Sequence, residues 1–159
     1  MEENIRLLLI DDNALICDSM TRLIDKCGKG LKVCGSAMNQ RDAMHMTRTL
    51  RPEVSLVDIS LNGSEGGLEL MRQIREELPE SIILAVSLHD EDLYAERALQ
   101  AGANGYLVKG DVGRCINEAI DEIMNGRPYV SGKAGPEIVA RFLKNSSEDL
   151  MLRPEIPPV

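Results

Sequence analysis

Carboxylate, hydroxyl and amine side chains follow four short apolar runs of this sequence, each at the carboxyl end of its run. Asp11 and Asp12 follow the first run, Asp58 closes the second, Ser87 the third and Lys109 the fourth. In an open parallel α/β sheet, the carboxyl ends of the strands line one crevice, where ligands bind. We therefore expect these residues, although far apart in sequence, to meet as three acids, a hydroxyl and a cation.

The three acids predict a metal site. Crowded carboxylates repel one another unless a hard divalent cation lies among them. Mg²⁺ prefers oxygen ligands and keeps several waters, so a small number of carboxylates and a backbone carbonyl suffice to bind it. We expect Asp12, Asp58 and the backbone carbonyl of Ser60 to be ligands of Mg²⁺. Asp11 is expected to act mostly through water.

The remaining groups suit phosphoryl chemistry. A carboxylate can attack a phosphoryl group and carry it as an aspartyl phosphate, and Asp58 is the candidate nucleophile. Lys109 would place a positive charge on one phosphoryl oxygen, and the Ser87 hydroxyl would donate a hydrogen bond to another. Taken singly, each residue has an ordinary explanation as a turn, cap or loop residue. Their co-occurrence at the same end of separate strands is what favours a site.

Length and composition favour one domain with a short remainder, since the chain has 159 residues. The net charge of −8 argues against direct binding of nucleic acid or of anionic membranes, which requires a basic patch. The four cysteines form no CxxC pair, which favours reduced thiols and a cytoplasmic protein. No apolar run approaches the ~20 residues that span a bilayer.

Short apolar runs alternate with helical patterns, which predicts βαβ units and a parallel sheet. Asn39 and Asp111 are predicted to cap the second and fifth helices, and Asn125-Gly126 to stop the fifth. After residue 126, the pattern predicts a linker over 127–135, a short helix over 136–144 and a polar, Pro-rich tail. The predicted strands are 5–10, 31–37, 54–58, 82–87 and 105–108, with 31–37 at an edge of the sheet.

Four motifs resemble the receiver domain of two-component response regulators. They are Leu7–Asn13 (LLLIDDN), Leu56–Ile59 (LVDI), Ala85–Ser87 (AVS) and Gly102–Lys109 (GANGYLVK), in the order and spacing of that family. The resemblance covers about residues 5–126. It implies an α/β, flavodoxin-like (βα)5 fold, a doubly wound parallel sheet with strand order 2-1-3-4-5.

The resemblance also implies a function. Residues 1–126 would be a receiver domain, in which Asp58 accepts a phosphoryl group from a sensor histidine kinase or a phosphotransfer protein. Ser87 would then move toward the phosphoryl group and Tyr106 would fill the space behind it. This switch would reshape the face formed by helix 4, strand 5 and helix 5. The expected protein is a signalling switch and not a turnover enzyme.

Within the family, residues 87–109 and 120–131 are most similar to the NarL/FixJ (LuxR-type) subgroup. Members of this subgroup usually carry a C-terminal helix-turn-helix domain. A transcriptional output is therefore expected, with residues 127–159 as a linker, short helix and tail that could lead to an effector domain beyond this chain. The segment 136–144 could instead pack on the receiver and form part of a partner surface. A stand-alone regulator and a homodimer are both compatible with the resemblance.

The sequence departs from the family in one loop. Asn62 stands where family members usually have Pro, and the stretch Gly63–Gly67 is one residue longer than usual. This altered loop keeps open a pseudo-receiver that acts only as an interaction module. An Asp-nucleophile phosphatase of the haloacid dehalogenase type is disfavoured, because Asp11-Asp12-Asn13 does not supply its Asp-x-Asp motif. A nucleotide-binding fold is disfavoured because carboxylates stand where a pyrophosphate would bind.

Overall fold

The computed structural model describes residues 4–63, 66–88 and 92–152 of the chain. Its strands are Ile5–Ile10 (β1), Leu31–Ala37 (β2), Val54–Asp58 (β3), Ile82–Ser87 (β4), Gly105–Val108 (β5) and Tyr129–Val130 (β6). Its α-helices are Ala14–Cys27 (α1), Gln40–Leu50 (α2), Gly66–Glu77 (α3), Asp92–Gln100 (α4), Val112–Met124 (α5) and Gly135–Leu152 (α6). None of the helices in these ranges is long and apolar enough to cross a membrane.

The strands form one parallel sheet in the order β2-β1-β3-β4-β5-β6. The predicted flavodoxin-like order 2-1-3-4-5 is therefore confirmed, with 31–37 at one edge. The sixth strand was not predicted, because a run of 2 residues is too short to show a periodic pattern. β6 pairs with the free edge of β5, where Gly105 lies opposite Tyr129 and Tyr106 opposite Val130.

Both faces of the sheet are buried, and alternate residues of each strand point to opposite faces. In β1, Leu8 and Ile10 belong to the core cluster shared with α2, α3 and α4. Leu7 and Leu9 belong to the cluster shared with α1 and α5. Burial on both faces explains why the strands are almost continuously apolar, and why polar residues at their ends are conspicuous in the sequence.

The helix boundaries agree with the predicted caps except at α5. Asn39 caps α2 as expected, since its Oδ1 accepts a hydrogen bond of 2.8 Å from the Asp42 N–H. The prediction that the Asp111 side chain caps α5 is wrong. A 3₁₀ turn over Lys109–Asp111 leads into α5 and gives Asp111 a near-helical backbone, so its side chain makes no cap hydrogen bond and pairs with Arg114 instead.

The C-terminal segment is more structured than the sequence pattern predicts. α5 stops before Asn125 and Gly126, as expected, and Gly126 has a positive φ of 86°. The helix predicted over 136–144 is longer and extends from Gly135 to Leu152. Residues 153–159, which include the Pro-rich end of the predicted tail, lie outside the described residues.

Gly67 lies in the first turn of α3, where this helix passes directly over the end of β3. Its N–H donates a hydrogen bond of 3.1 Å to the Ile59 carbonyl. A Cβ at this position would collide with the Asp58 carbonyl oxygen and would lie 2.8 Å from the Ile59 Cα. Only glycine therefore allows α3 to start this close to the backbone of Asp58.

We predict that Gly67→Ala destabilises the protein by about 1–3 kcal/mol, because the backbones of α3 and β3 must move apart. Urea unfolding at equilibrium measures this loss. Gly110→Ala is the matched control, since a Cβ at Gly110 meets no atom within 4 Å. A Gly67→Ala protein as stable as the Gly110→Ala protein would contradict the prediction.

Candidate functional site

The structure brings together the three acids that the sequence singled out. One carboxylate oxygen each from Asp11, Asp12 and Asp58 lies within 4.8 Å of the other two. They meet because β1 and β3 are neighbours, with Ile10 paired to Val57 one residue before the acids begin. Asp11 and Asp58 are buried, whereas Asp12 is exposed. The cluster is thus closed on one side and open to solvent on the other.

Lys109 reaches this cluster from the end of β5. Its Nζ lies 3.0 Å from Asp11 Oδ2 and 3.4 Å from Asp58 Oδ2. Burial by itself would lower the pKa of Lys109, but the hydrogen bond to Asp11 and the negative charges of Asp58 and Asp11 raise it overall. The amine is therefore a firmly protonated cation held against two carboxylates.

The negative charge of Asp58 is compensated only in part by the groups around it. Its side chain is buried, and this desolvation raises the pKa of its carboxyl above the ordinary value. The positive charge of Lys109 opposes the rise and the negative charge of Asp11 adds to it. Burial outweighs the ion pair, so the ionised carboxylate of Asp58 still lacks full compensation. An additional cation at this point would stabilise it.

Ser60 holds the Asp58 carboxylate in place. The Ser60 N–H and its Oγ–H both donate to Asp58 Oδ1, at 3.1 and 3.0 Å. The Ser60 carbonyl accepts a hydrogen bond of 2.8 Å from the Gly63 N–H. A carbonyl oxygen has two lone pairs, so one remains for a metal ligand. The predicted role of this carbonyl in binding Mg²⁺ stays a prediction.

Asn62 connects the loop after β3 to Asp12. Its N–H donates a hydrogen bond of 3.2 Å to Asp12 Oδ2, and its φ of 62° places it in the left-handed region. Asn tolerates this region better than most residues, whereas proline is fixed near −65° and has no N–H. The departure from the usual Pro thus has a local physical reason. Of the longer loop Gly63–Gly67, residues 64 and 65 lie outside the described residues.

Ser87 and Tyr106 lie on the adjacent strands β4 and β5. Ser87 ends β4, is buried, and pairs in register with Val108, the residue before Lys109. The predicted hydroxyl position is therefore at the same sheet edge as the acids and the cation. Tyr106 is only 1% exposed and packs in the core cluster that contains Ala98 of α4. Their predicted role as a switch stays a prediction.

Asn13 supports the site through hydrogen bonds that were not predicted from the sequence. Its Oδ1 caps α1 by accepting hydrogen bonds from the N–H groups of Leu15 and Ile16, at 2.9 and 3.2 Å. Its own N–H donates to Asp11 Oδ1 at 3.0 Å. An Asn directly before an apolar helix is a recognisable N-cap signal, so this role could have been predicted.

The arrangement suits a divalent cation. All the ligand atoms that the acids supply are oxygens, which hard cations prefer, and exposed Asp12 gives a hydrated ion a path to the buried pair. A cation bound here would stabilise the ionised carboxylate of Asp58, whose pKa is raised mainly by burial and further by the charge of Asp11. Asp11, Asp12 and Asp58 are the residues that could hold this cation. Lys109 could then pair with an anionic ligand instead of with the carboxylates.

We predict that Asn62→Pro weakens divalent cation binding and destabilises the protein by more than about 1 kcal/mol, because proline can neither adopt the positive φ nor donate to Asp12. Asn62→Gly is the matched control, since glycine keeps the N–H and accepts this φ. The thermal midpoint as a function of Mg²⁺ concentration reports both effects. Equal Mg²⁺ responses of the two variants would contradict the role of Asn62.

We predict that Asp58→Asn is at least as stable as the wild type near neutral pH without divalent cations. The raised pKa means that the folded state binds more protons than the unfolded state between the two pKa values of Asp58. Its contribution to stability therefore falls as pH rises through that interval, and Asn removes this loss. Urea midpoints from about pH 4 to about pH 7 test this.

The control for the pH experiment is Asp18→Asn, because the Asp18 side chain is 65% exposed on α1. This variant should keep the pH dependence of the wild type. Strong destabilisation by Asp58→Asn near neutral pH would contradict the prediction, because it would show that the pair with Lys109 outweighs the burial of Asp58.

The chain is similar to known proteins over most of its length. Residues 7–121 match the response regulator receiver domain family. The chain is 34% identical over 144 residues to response regulator GacA of Pseudomonas protegens, and the aligned region covers 91% of this chain and 67% of GacA. It is 35% identical over 127 residues to response regulator UvrY of Escherichia coli, and this aligned region covers 80% of this chain and 57% of UvrY.

A solved structure supports the same relationship. A two-component response regulator of the LuxR family from Aurantimonas superposes with a TM-score of 0.73 at 28% identity, covering 91% of this chain and 99% of that one. The resemblance to the LuxR-type subgroup is thereby confirmed. The family match over residues 7–121, the similar proteins and the arrangement of the acids agree. The chain therefore belongs to the response regulator receiver domain family.

Proposed function

We propose that this protein is a phosphorylation-dependent switch that accepts a phosphoryl group on Asp58 from a sensor histidine kinase or a phosphotransfer protein. The observation that carries the proposal is the cluster itself: Lys109 Nζ lies 3.0 and 3.4 Å from Asp11 and Asp58, and one oxygen of Asp12 lies within 4.8 Å of oxygens of both acids. A buried acid, a cation and further acids are the parts that phosphoryl capture requires.

The step is a transfer between two atoms. A carboxylate oxygen of Asp58 forms a bond to phosphorus as the bond from phosphorus to the donor nitrogen breaks, and the leaving imidazole takes up a proton. Mg²⁺ held by Asp12, Asp58 and the Ser60 carbonyl would supply the charge neutralisation that this transfer needs. Ser60 orients the attacking carboxylate through its two hydrogen bonds to Asp58 Oδ1.

The product adds negative charge and acceptor oxygens beside Lys109. Lys109 shifts from the carboxylates to a phosphoryl oxygen, and the Ser87 hydroxyl donates to another. Ser87 and Tyr106 then act as the switch, and the face of α4, β5 and α5 changes its affinity for partners. Residues 1–126 would form this receiver unit, with 127–159 as a connection to an effector domain.

The wider setting follows from the family. The relatives are longer proteins, and this chain covers 67% of GacA and 57% of UvrY. We therefore extend the output of those proteins to this protein only as a proposal. We expect a cytoplasmic signalling protein that serves a transcriptional output, with homodimerisation as one consequence of phosphorylation. The acidic chain, of net charge −8, would not itself contact DNA.

Phosphoryl uptake from acetyl phosphate tests the proposal. The wild type with Mg²⁺ should gain one phosphoryl group by intact mass, and chelation of Mg²⁺ should reduce the uptake by more than about tenfold, since charge neutralisation drives this transfer. Asp58→Ala should show no uptake. Asp18→Asn, which removes an exposed acid on α1, should react as the wild type does.

Three outcomes would overturn the proposal. Uptake that persists in Asp58→Ala would move the acceptor elsewhere. No uptake by the wild type, from acetyl phosphate or from a phosphorylated histidine donor, would favour a pseudo-receiver that acts as an interaction module. Continuous turnover of phosphate esters would favour an Asp-nucleophile phosphatase.

A further inference from the structure

The sequence contains three Asn-Gly dipeptides, which are Asn62-Gly63, Asn104-Gly105 and Asn125-Gly126. In such a dipeptide, the backbone nitrogen of the glycine can attack the side-chain amide of the asparagine, because glycine has no side chain that blocks the approach. Since the three sites consist of the same two residues, differences in their reactivity in the folded protein must come mainly from the structure. The structure restrains two of the sites and leaves one open.

Asn104-Gly105 is held at the start of β5. Asn104 Oδ1 accepts hydrogen bonds from Arg75 Nη2 at 2.6 Å and from the Ile83 N–H at 2.8 Å. Gly105 is buried and pairs in register with Leu84 of β4. The side-chain amide and the nitrogen that would attack it are therefore both fixed, and the reaction would require local opening of the sheet.

Asn125-Gly126 is held at the end of α5, although less firmly. Asn125 Nδ2 donates a hydrogen bond of 2.9 Å to the Asp121 carbonyl, which turns the side chain back along the helix. The Gly126 N–H donates a hydrogen bond of 2.9 Å to the Ile123 carbonyl. The amide of Asn125 must therefore lose one hydrogen bond before it can react.

Asn62-Gly63 is the site that the structure restrains least. Asn62 is exposed, and within the ranges that the structure describes its side-chain amide makes no hydrogen bond. A Cβ at Gly63 would meet no atom within 4 Å, so there is room for a ring to form beside its nitrogen. The Gly63 N–H donates a hydrogen bond of 2.8 Å to the Ser60 carbonyl, and this bond must open first. The side-chain amide itself is ready to react.

We propose that Asn62 is a site of spontaneous deamidation, which converts it to aspartate or isoaspartate and adds a carboxylate beside Asp12. The nitrogen of Gly63 forms a bond to Cγ of Asn62 as the bond from Cγ to Nδ2 breaks. Nδ2 leaves as ammonia with the proton that the Gly63 nitrogen gives up. Water then opens the cyclic imide, either at Cγ, which gives aspartate, or at the backbone carbonyl carbon, which gives isoaspartate.

The new charge would act on the acid cluster. The backbone nitrogen of Asn62 lies 3.2 Å from Asp12 Oδ2, and Asp12 lies beside Asp11 and Asp58. A carboxylate at position 62 adds to the repulsion among these acids, which a divalent cation relieves. We therefore expect deamidation to increase the stabilisation of the protein by Mg²⁺. This consequence rests on the proposed function, because it takes the cluster as the Mg²⁺ site.

Peptide mapping by mass spectrometry of the 159-residue chain tests the modification. During storage of the folded protein in a mildly alkaline buffer, Asn62 should convert at least about fivefold faster than Asn125, since the amide of Asn125 must first lose a hydrogen bond. Asn104 should convert more slowly than Asn125. In urea, the rates of the three sites should converge, because the structure that separates them is lost.

Two variants separate the modification from its effect. Asn62→Gly keeps the backbone N–H and accepts the φ of 62° but has no amide to lose, so it should lack the fast conversion and leave the other two sites unchanged. Asn62→Asp supplies the charge from the start. Its thermal midpoint should rise more with Mg²⁺ than that of the wild type. The matched control is Asn145→Asp, which adds the same charge at an exposed position of α6 and should respond as the wild type does.

The outcomes separate the two proposals. Conversion of Asn62 no faster than that of Asn125 in the folded protein overturns the deamidation site, and so does an order of rates that persists in urea. Fast conversion of Asn62, with equal Mg²⁺ responses of Asn62→Asp and Asn145→Asp, overturns only the effect on cation binding. Fast conversion of Asn62 in a protein that does not respond to Mg²⁺ leaves the modification standing and overturns the Mg²⁺ site of the proposed function.

Discussion

The excess of negative charge at the carboxyl edge of the sheet is the constraint on which the rest of the structure depends. Within the part of the chain that the structure describes, Asp11, Asp12 and Asp58 face one ammonium group, that of Lys109, so the cluster remains anionic after pairing. Burial raises the pKa of Asp58 in spite of the ion pair, which shows that the compensation is incomplete. A divalent cation would stabilise the ionised carboxylates of such a site. The ammonium group of Lys109 would then be able to pair with a new anionic group.

The sheet topology places this charge imbalance and α4 beside the same strand. β5 carries Lys109 at its carboxyl end, Tyr106 in its middle, and β6 along its outer edge. The strand that carries Lys109 therefore also borders α4 and β6.

Much of this arrangement could be predicted from the sequence. The physical reason is that both faces of the sheet are buried, which makes the strands almost continuously apolar. Polar residues that end apolar strands are conspicuous, so Asp58, Ser87 and Lys109 were found from pattern alone. The pairing order of the strands came from resemblance, because periodicity does not encode it. β6 was missed because its position depends on the free edge of β5. The side chain of Asp111 was misassigned because a 3₁₀ turn changed its backbone conformation.

The contact between α6 and α4 is weak. The pair of Arg141 and Glu96 is 49% and 30% exposed, and such pairs contribute at most about 1 kcal/mol. The apolar part rests on a few side chains, chiefly Ile138 and Phe142. Coupling between distant sites is typically about 1–3 kcal/mol, which is enough to open a contact of this size and too little to open a full core.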